Sequence, residues 1–422
     1  MTFYIGAATA AHQVEGNNFH SDFWVMEHLK HTSFSEPSLA ACDHYHRYQE
    51  DIDYMKEAGL NAYRFSIEWA RIEPIKGQFN QKEVEHYRDV IAYCKKQGIE
   101  PIVTLHHFSS PAWLIGEGGW ENVITAKYFA DYAEFIAKEL GSELTYICTI
   151  NEANMGVQIA EVVKMYLRQM GIDPQVGLNL GFSEQLQKEQ DEARMILGFP
   201  EGETAQTFLS MRTDYGNEVI RLAHMKAREK IKAVHQELKV GLTLSLYDIQ
   251  VVDNSNEAQI EAEKKWQQEF QDFLPSIEKD DFLGVQNYTR IMISGQGPVS
   301  APENSLLTQM DYEFYPSGIA NVVRKVAKEF NGELLVTENG VATEEDSLRM
   351  RFIDEALQEL SHCRKEGIRL IGYLYWSLLD NFEWQKGFGM KFGLISVNRD
   401  NQKRQVKPSL AYLGRVGKER FE

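Results

Sequence analysis

Cysteine is scarce in this sequence. Cys42, Cys94, Cys148 and Cys363 are spread over 422 positions, with no Cys-x-x-Cys pair and no zinc-like spacing. They read as buried or stray reduced thiols, which argues against a disulfide scaffold and gives no metal site. Basic charge is short as well: 44 Lys and Arg stand against 62 Asp and Glu, for a net charge of −18. A surface of that sign repels phosphate backbones and anionic lipid, so nucleic acid and membrane surface are poor main partners. No run approaches the roughly 18 apolar residues of a membrane span. The opening "MTFYIGAATA" lacks the basic start and long apolar stretch of a secretory signal and reads as a strand. The expected location is the cytoplasm, with any extracellular substrate imported first. No Ser/Gly linker, low-complexity tract or short repeat divides the chain, so residues 1–422 are expected to form one domain.

What is present is an alternation. Short β-branched and aromatic runs occur at "FYIGAAT", "AYRFSIEW", "EPIVTLHHF", "LTYICTINE", "KVGLTLSLY", "DFLGVQNYT", "ELLVTENG" and "LIGYLYWSL". Continuous apolar runs of this kind suit parallel strands buried on both faces. Helical spacing fills most of the intervals, for example from His44 to Gly59 and from Gln81 to Gly98, where each glycine is a natural helix stop. Eight such strands in one uninterrupted chain most economically close into a (β/α)8 barrel, an α/β fold. An open doubly wound sheet is the alternative, weakened because no Gly-x-Gly-x-x-Gly follows the first strand. Residues 155–213 read as an irregular acidic excursion with little helix, or as a wall of the site.

Polar residues collect at the ends of these runs. Gln13 and Glu15 follow the first, Arg64 and Glu68 lie in the second, and His106 and His107 end the third. Asn151 and Glu152 end the fourth, Tyr288 the sixth, Glu338 and Asn339 the seventh, and Trp376 the eighth. A barrel brings such ends to one mouth. Two carboxylates there, with amides and indoles, suit glycosidic cleavage: one holds a proton for the leaving oxygen and the other stays ionised. Arg64 is placed to hold Glu338 ionised, while Glu152 among neutral amides keeps its proton. Taken singly these residues have plainer readings. A strand-end glutamate is commonly a cap, the "HH" pair at 106–107 lacks further metal ligands, and Trp69, Trp113 and Trp120 read as packing.

The stretches "AATAAHQVEG", "YRFSIEWARIEP", "TLHHF", "TINEAN", "TENG" and "GYLYWSLLDNFEW" fall in order, and the match runs on to "VKPSLAYL". Together they resemble glycoside hydrolase family 1, the β-glucosidase family. The resemblance implies one barrel, no cofactor, and retaining hydrolysis of small β-glycosides. It makes Glu152 the acid/base and Glu338 the nucleophile, with Arg64 and Tyr288 holding the nucleophile. Gln13, His107, Asn151, Glu383 and Trp384 match sugar-binding positions, and Trp376 the sugar's platform.

The sequence also departs from that pattern. Ala153 stands where proline usually follows the acid/base, which predicts a looser turn. The usual Asn-Tyr-Tyr reads Gln286-Asn287-Tyr288, and after Met155 the likeness resumes only near "VIRLAHMKA". A 6-phospho-β-glycosidase would carry a Ser, Lys and Tyr set after the eighth strand. That loop here reads "NFEWQKGFGMKFG", and an ionised Glu383 would repel a 6-phosphate. β-Glucosidase is the leading expectation. A β-galactosidase or β-fucosidase, a 6-phospho-β-glucosidase and an inactive sugar-binding protein stay open, as does homo-oligomer assembly.

Overall fold

A computed structural model describes residues 2–169, 184–199 and 205–421. All eight expected strands form: β1 Tyr4–Ala8, β2 Ala62–Ser66, β3 Glu100–His106, β4 Tyr146–Ile150, β5 Lys239–Ser245, β6 Phe282–Gln286, β7 Glu333–Asn339 and β8 Leu370–Trp376. They pair in parallel around a closed barrel, and β1 seals it by pairing with both β2 and β8.

A helix follows each strand: α1 His44–Glu57, α2 Gln81–Lys96, α3 Ile124–Leu140, α4 Asp214–Val234, α5 Asn256–Glu269, α6 Gly318–Val326, α7 Asp346–Lys365 and α8 Pro408–Phe421. Their sequences explain their limits. Asn80 caps α2 by accepting from the Lys82 amide, and Thr213 caps α4 by accepting from Gly216. Gly98 follows the last turn of α2 with φ +74°, the left-handed stop that glycine adopts readily. In α3, Phe129, Ala133, Ile136, Ala137 and Leu140 share a buried face.

The strands are mostly apolar, apart from the polar residues near their ends, because both of their faces are covered. Ala62, Ile102, Cys148, Phe282, Leu335 and Leu374 belong to one apolar cluster. Tyr63, Val103, Ile147, Val285 and Val336 belong to a second, shared with helix residues such as Val90, Ile136 and Leu357. All four cysteines are free and buried. No helix is long and apolar enough to cross a membrane among the described residues.

Two features differ from the expectation. Asp248–Val251, Arg290–Ser294 and Gly297–Val299 form a small extra sheet outside the barrel. The 155–213 excursion holds two long helices, Met155–Gln169 and Glu184–Leu197. The second buries Ala193 in the core and is also held by polar contacts, which an apolar pattern cannot reveal. Glu192 accepts from the Lys30 and His31 amides at 3.0 and 3.1 Å, and Glu189 from the Ser33 amide at 2.8 Å. Positions 170–183 and 200–204 of that excursion lie outside the described residues.

Candidate active site

Strand pairing aims the first carboxylate. Along β7, Val336 pairs with Val285 and Glu338 with Gln286, so Thr337 is an extra residue in a bulge. Bulges turn side chains beside functional sites, and this one sets Glu338 level with the end of β6. Gly340 follows directly, where a Cβ would run into the Trp376 carbonyl; only glycine lets β7 end this close to β8. Arg64, fully buried on β2, donates to Glu338 Oε1 at 2.6 Å, and the Tyr288 hydroxyl donates to Oε2 at 2.7 Å. Arg64 also donates through Nε to Thr104 Oγ1 at 2.9 Å and through Nη2 to Asn151 Oδ1 at 2.6 Å.

That last bond fixes the Asn151 amide, because a guanidinium has only donors. Gln286 Nε2 adds a second donor to Asn151 Oδ1 at 2.9 Å, and Thr243 Oγ1 lies 3.2 Å from it. The Asn151 Nδ2 group then points to His107 Nε2 at 3.1 Å, so Nε2 accepts and Nδ1 carries the ring proton. His107 stacks on Trp376 with centroids 5.5 Å apart. The Gln286 position, noted in the sequence only as a departure, thus orients a neighbour of both glutamates. Asn287 points away and donates to the Leu246 and Thr289 carbonyls.

Glu152 sits on the turn after β4 with φ +44°. The looser turn expected from Ala153 is not what forms. Glu152 N–H donates to Thr243 Oγ1 at 2.9 Å, and Ala153 N–H, a donor that proline would lack, reaches the Thr243 carbonyl at 3.0 Å. Asn154 accepts from the Ser245 amide and donates to the Ser245 and Glu269 carbonyls. Of the two asparagines flanking Glu152, one lies among the groups around Glu338 and the other ties the turn to β5.

A second group gathers in the loop after β8. Gln13 Nε2 donates to the Phe382 carbonyl at 2.6 Å and reaches Glu383 Oε2 at 3.4 Å, while its buried Oε1 has no partner. Trp384 packs against Phe108, Phe23 and His12. Glu383 is partly exposed.

Other strand-end residues serve the scaffold. Glu15 pairs with Arg71 at 2.8 Å, Glu68 caps the short helix Trp69–Ile72, and His106 reaches Ser110 at 2.9 Å. Asn339 is held by Tyr373 and donates to the Asn287 carbonyl. Trp69, Trp113 and Trp120 are packing residues, each indole N–H satisfied within the protein. The 205–213 stretch does reach this side of the barrel, with Phe208 packed on His106, Phe108 and Trp120.

Burial governs the electrostatics. It drives the Glu152 carboxyl well above its ordinary value, and the charge of Glu338 drives it further. Burial raises Glu338 too, but the Arg64 charge and the hydrogen bonds from Tyr288, Arg64 and Gln286 oppose the rise. Of the two, Glu152 carries the stronger push toward the protonated form. The direction of the Glu152 shift agrees with the expectation, but desolvation rather than neutral amides is its main cause. His107 is pushed far down by burial and by Arg64, and is neutral. Glu383 is pushed up to about 8, by burial first and then by Glu338. That shift toward the neutral form weakens the repulsion of a 6-phosphate expected from the sequence. No cluster of three or more His, Cys, Asp or Glu is placed to hold a metal among the described residues.

A closed parallel barrel bearing two buried carboxyls, one of them ion-paired, is the arrangement of a glycosidase. The family model of glycosyl hydrolase family 1 matches residues 1–173 and 276–420, and the chain belongs to that family. It is 29% identical to beta-glucosidase A of Acetivibrio thermocellus, over 96% of this chain and 95% of that one. It is 28% identical to a 6-phospho-beta-galactosidase of Leptotrichia buccalis, over 98% and 97%. Among solved structures, beta-glycosidase BGL167 superposes with a TM-score of 0.89 at 39% identity, covering 99% of this chain and 96% of that chain. The gap in the family match begins later and runs further than the break expected from the sequence, taking in β5.

Proposed function

We propose that this chain is a retaining β-glycosidase, working as one catalytic domain on small, unphosphorylated β-glucosides in the cytoplasm. The observation that carries the reading is the asymmetry of the two glutamates: Glu338 has a guanidinium at 2.6 Å and a phenol at 2.7 Å, and Glu152 has neither. Glu338 attacks the anomeric carbon while Glu152 gives its proton to the departing oxygen. Glu152 then takes a proton from water, which attacks the same carbon and releases Glu338. Two inversions leave the β configuration unchanged.

The pH profile follows from the signs. Glu338 must be ionised, so activity rises as pH climbs through its pKa; Glu152 must be protonated, so activity falls as pH climbs through its own. Burial raises both, so both limbs of the kcat/KM bell are expected above the ordinary carboxyl value of 4.5. A basic limb at or below that value would refute the role of Glu152.

Gln13 and Glu383 supply the sugar specificity. A protonated Glu383 donates through one oxygen and accepts through the other, which suits a pair of hydroxyls far from the scissile bond. Galactose, differing only at O4, should be discriminated modestly. The competing reading is a 6-phospho-β-glycosidase, favoured by the relatives of that activity and by Lys386, whose charge acts on Glu383. Burying a phosphate beside Glu383 without the Ser, Lys and Tyr set is unfavourable. Plain p-nitrophenyl β-glucoside is therefore expected to outpace its 6-phosphate by orders of magnitude. That ratio should widen as pH rises through about 8, where Glu383 ionises. Glu383→Ser should lose about 100-fold on the plain glucoside, the loss expected for two hydrogen bonds, and narrow the ratio. Faster cleavage of the 6-phosphate by the wild type would decide for the competing reading.

A further inference from the structure

One residue in the stretch outside the family match has no ordinary structural reason to be there. Arg212 is 6% exposed, yet no carboxylate pairs with it among the described residues, and its Nε has no hydrogen-bond partner. Its guanidinium lies 4.4 Å from the centre of the Phe208 ring. Nη2 donates to the Phe208 carbonyl at 3.0 Å, and Nη1 donates to the Ala153 carbonyl at 3.1 Å. Two helices begin beside it, Met155–Gln169 and α4. Gly156, in the first turn of one, presses so closely on the Arg212 side chain that a Cβ would run into it, and a Cβ on Gly216, in the first turn of the other, would meet the Glu121 carboxylate and then Arg212. Helix N-termini carry partial positive charge, so an unpaired buried cation between two of them is unfavourable electrostatically. Burial accordingly pushes the Arg212 pKa down to about 9, although the nearby Glu121 charge, which forms no ion pair with it, pulls the other way. Packing alone would be served better by a methionine.

What the arrangement gains is a hold on one carbonyl. Ala153 immediately follows Glu152, whose φ of +44° is uncommon for a side chain other than glycine. The inner side of this turn is tied to β5 by the amide hydrogens of Glu152 and Ala153. From the outside, Arg212 takes the Ala153 carbonyl and so closes a clamp around the residue. Proline would stiffen the turn covalently; here a long-range hydrogen bond does so.

We propose that Arg212 is a positioning residue for Glu152, holding the turn so that the Glu152 carboxyl meets the leaving oxygen. The proposal rests on the reading of Glu152 as acid/base. Glu338, Arg64 and Glu383 act on Glu152 electrostatically, and Tyr247, Tyr288 and Tyr312 feel its charge in turn. Arg212 is hydrogen-bonded to Ala153 and Phe208 and to none of these, so a shift in the Glu152 titration on changing Arg212 reports the turn.

The test compares wild type with Arg212→Met and Arg212→Lys on phenyl and 2,4-dinitrophenyl β-glucosides. The expected loss in kcat/KM for Arg212→Met is about 10- to 100-fold on the phenyl glucoside, the scale of a misplaced catalytic group. On the dinitrophenyl substrate, which needs no proton, the loss should be small. The basic limb of the pH profile should move down, because a carboxyl released toward water loses the burial that raised its pKa. Arg212→Lys keeps the charge and one donor but not the fork, and should fall between the two. If the Met variant does not fold, the Lys variant carries the same comparison. Equal losses on both substrates, or a basic limb that stays put, would overturn the clamp. Azide rescue of Glu152→Ala tests the acid/base reading separately, so failure of either idea shows by itself.

Discussion

A 2-deoxy-2-fluoro-β-glucoside bearing a good leaving group is expected to inactivate the enzyme with one equivalent bound, and the labelled peptide should contain Glu338. Fluorine at C2 destabilises the oxocarbenium-like transition states of both steps, while the reactive leaving group lets the first proceed. The ester on Glu338 therefore accumulates. Replacing Glu338 should lower kcat on the order of 10⁶-fold, the scale seen when a covalent nucleophile is removed. Trapping is the cleaner measurement, because removing the carboxylate strands Arg64 as a buried cation, at roughly 3–5 kcal/mol of stability. Glu338→Gln keeps an acceptor for Arg64 and should unfold nearer the wild-type temperature than Glu338→Ala. A label on any other residue, or an inverted product seen by NMR, would end the assignment.

Glu152→Ala is expected to lose about 10²- to 10⁴-fold in kcat/KM on substrates with poor leaving groups, the usual contribution of a positioned general acid. Dinitrophenyl glucosides should keep a near-normal first step, so their glycosyl-enzyme builds up and shows as a burst. Azide, small and needing no base, should enter the space left by the carboxyl and release a β-glycosyl azide. With Glu338 removed instead, azide attacks from the opposite face and the product is the α-anomer. Uniform losses across leaving groups, with no azide product, would assign the acid to another residue.

Much of this site is legible before folding because it is built from strand ends. Period and composition mark all eight strands, and a closed parallel barrel sends their C-terminal ends to one mouth. Arg64, Asn151, Tyr288 and Glu338 form one connected cluster, as the sequence expects. The same reasoning overreaches at Glu15, Glu68 and His106, which lie at strand ends too but are taken up by Arg71, by a short helix and by Ser110. Position along a strand does not say which way a side chain is claimed.

The sequence by itself determined the barrel, the two glutamates and their neighbours, since apolar periodicity and motif spacing are local properties of a chain. Tertiary structure alone decided the rest. The bulge at Thr337 depends on how β6 and β7 pair, and the direction of the Asn151 amide on donors from β2 and β6. The upward shift of the Glu152 carboxyl comes mainly from exclusion of water, which follows from everything packed around it. Arg212 reaches the Ala153 carbonyl across 59 residues of chain, a contact no local pattern encodes. Burial and long-range pairing come from the whole fold acting at once, and for that reason they could be read only from the folded molecule.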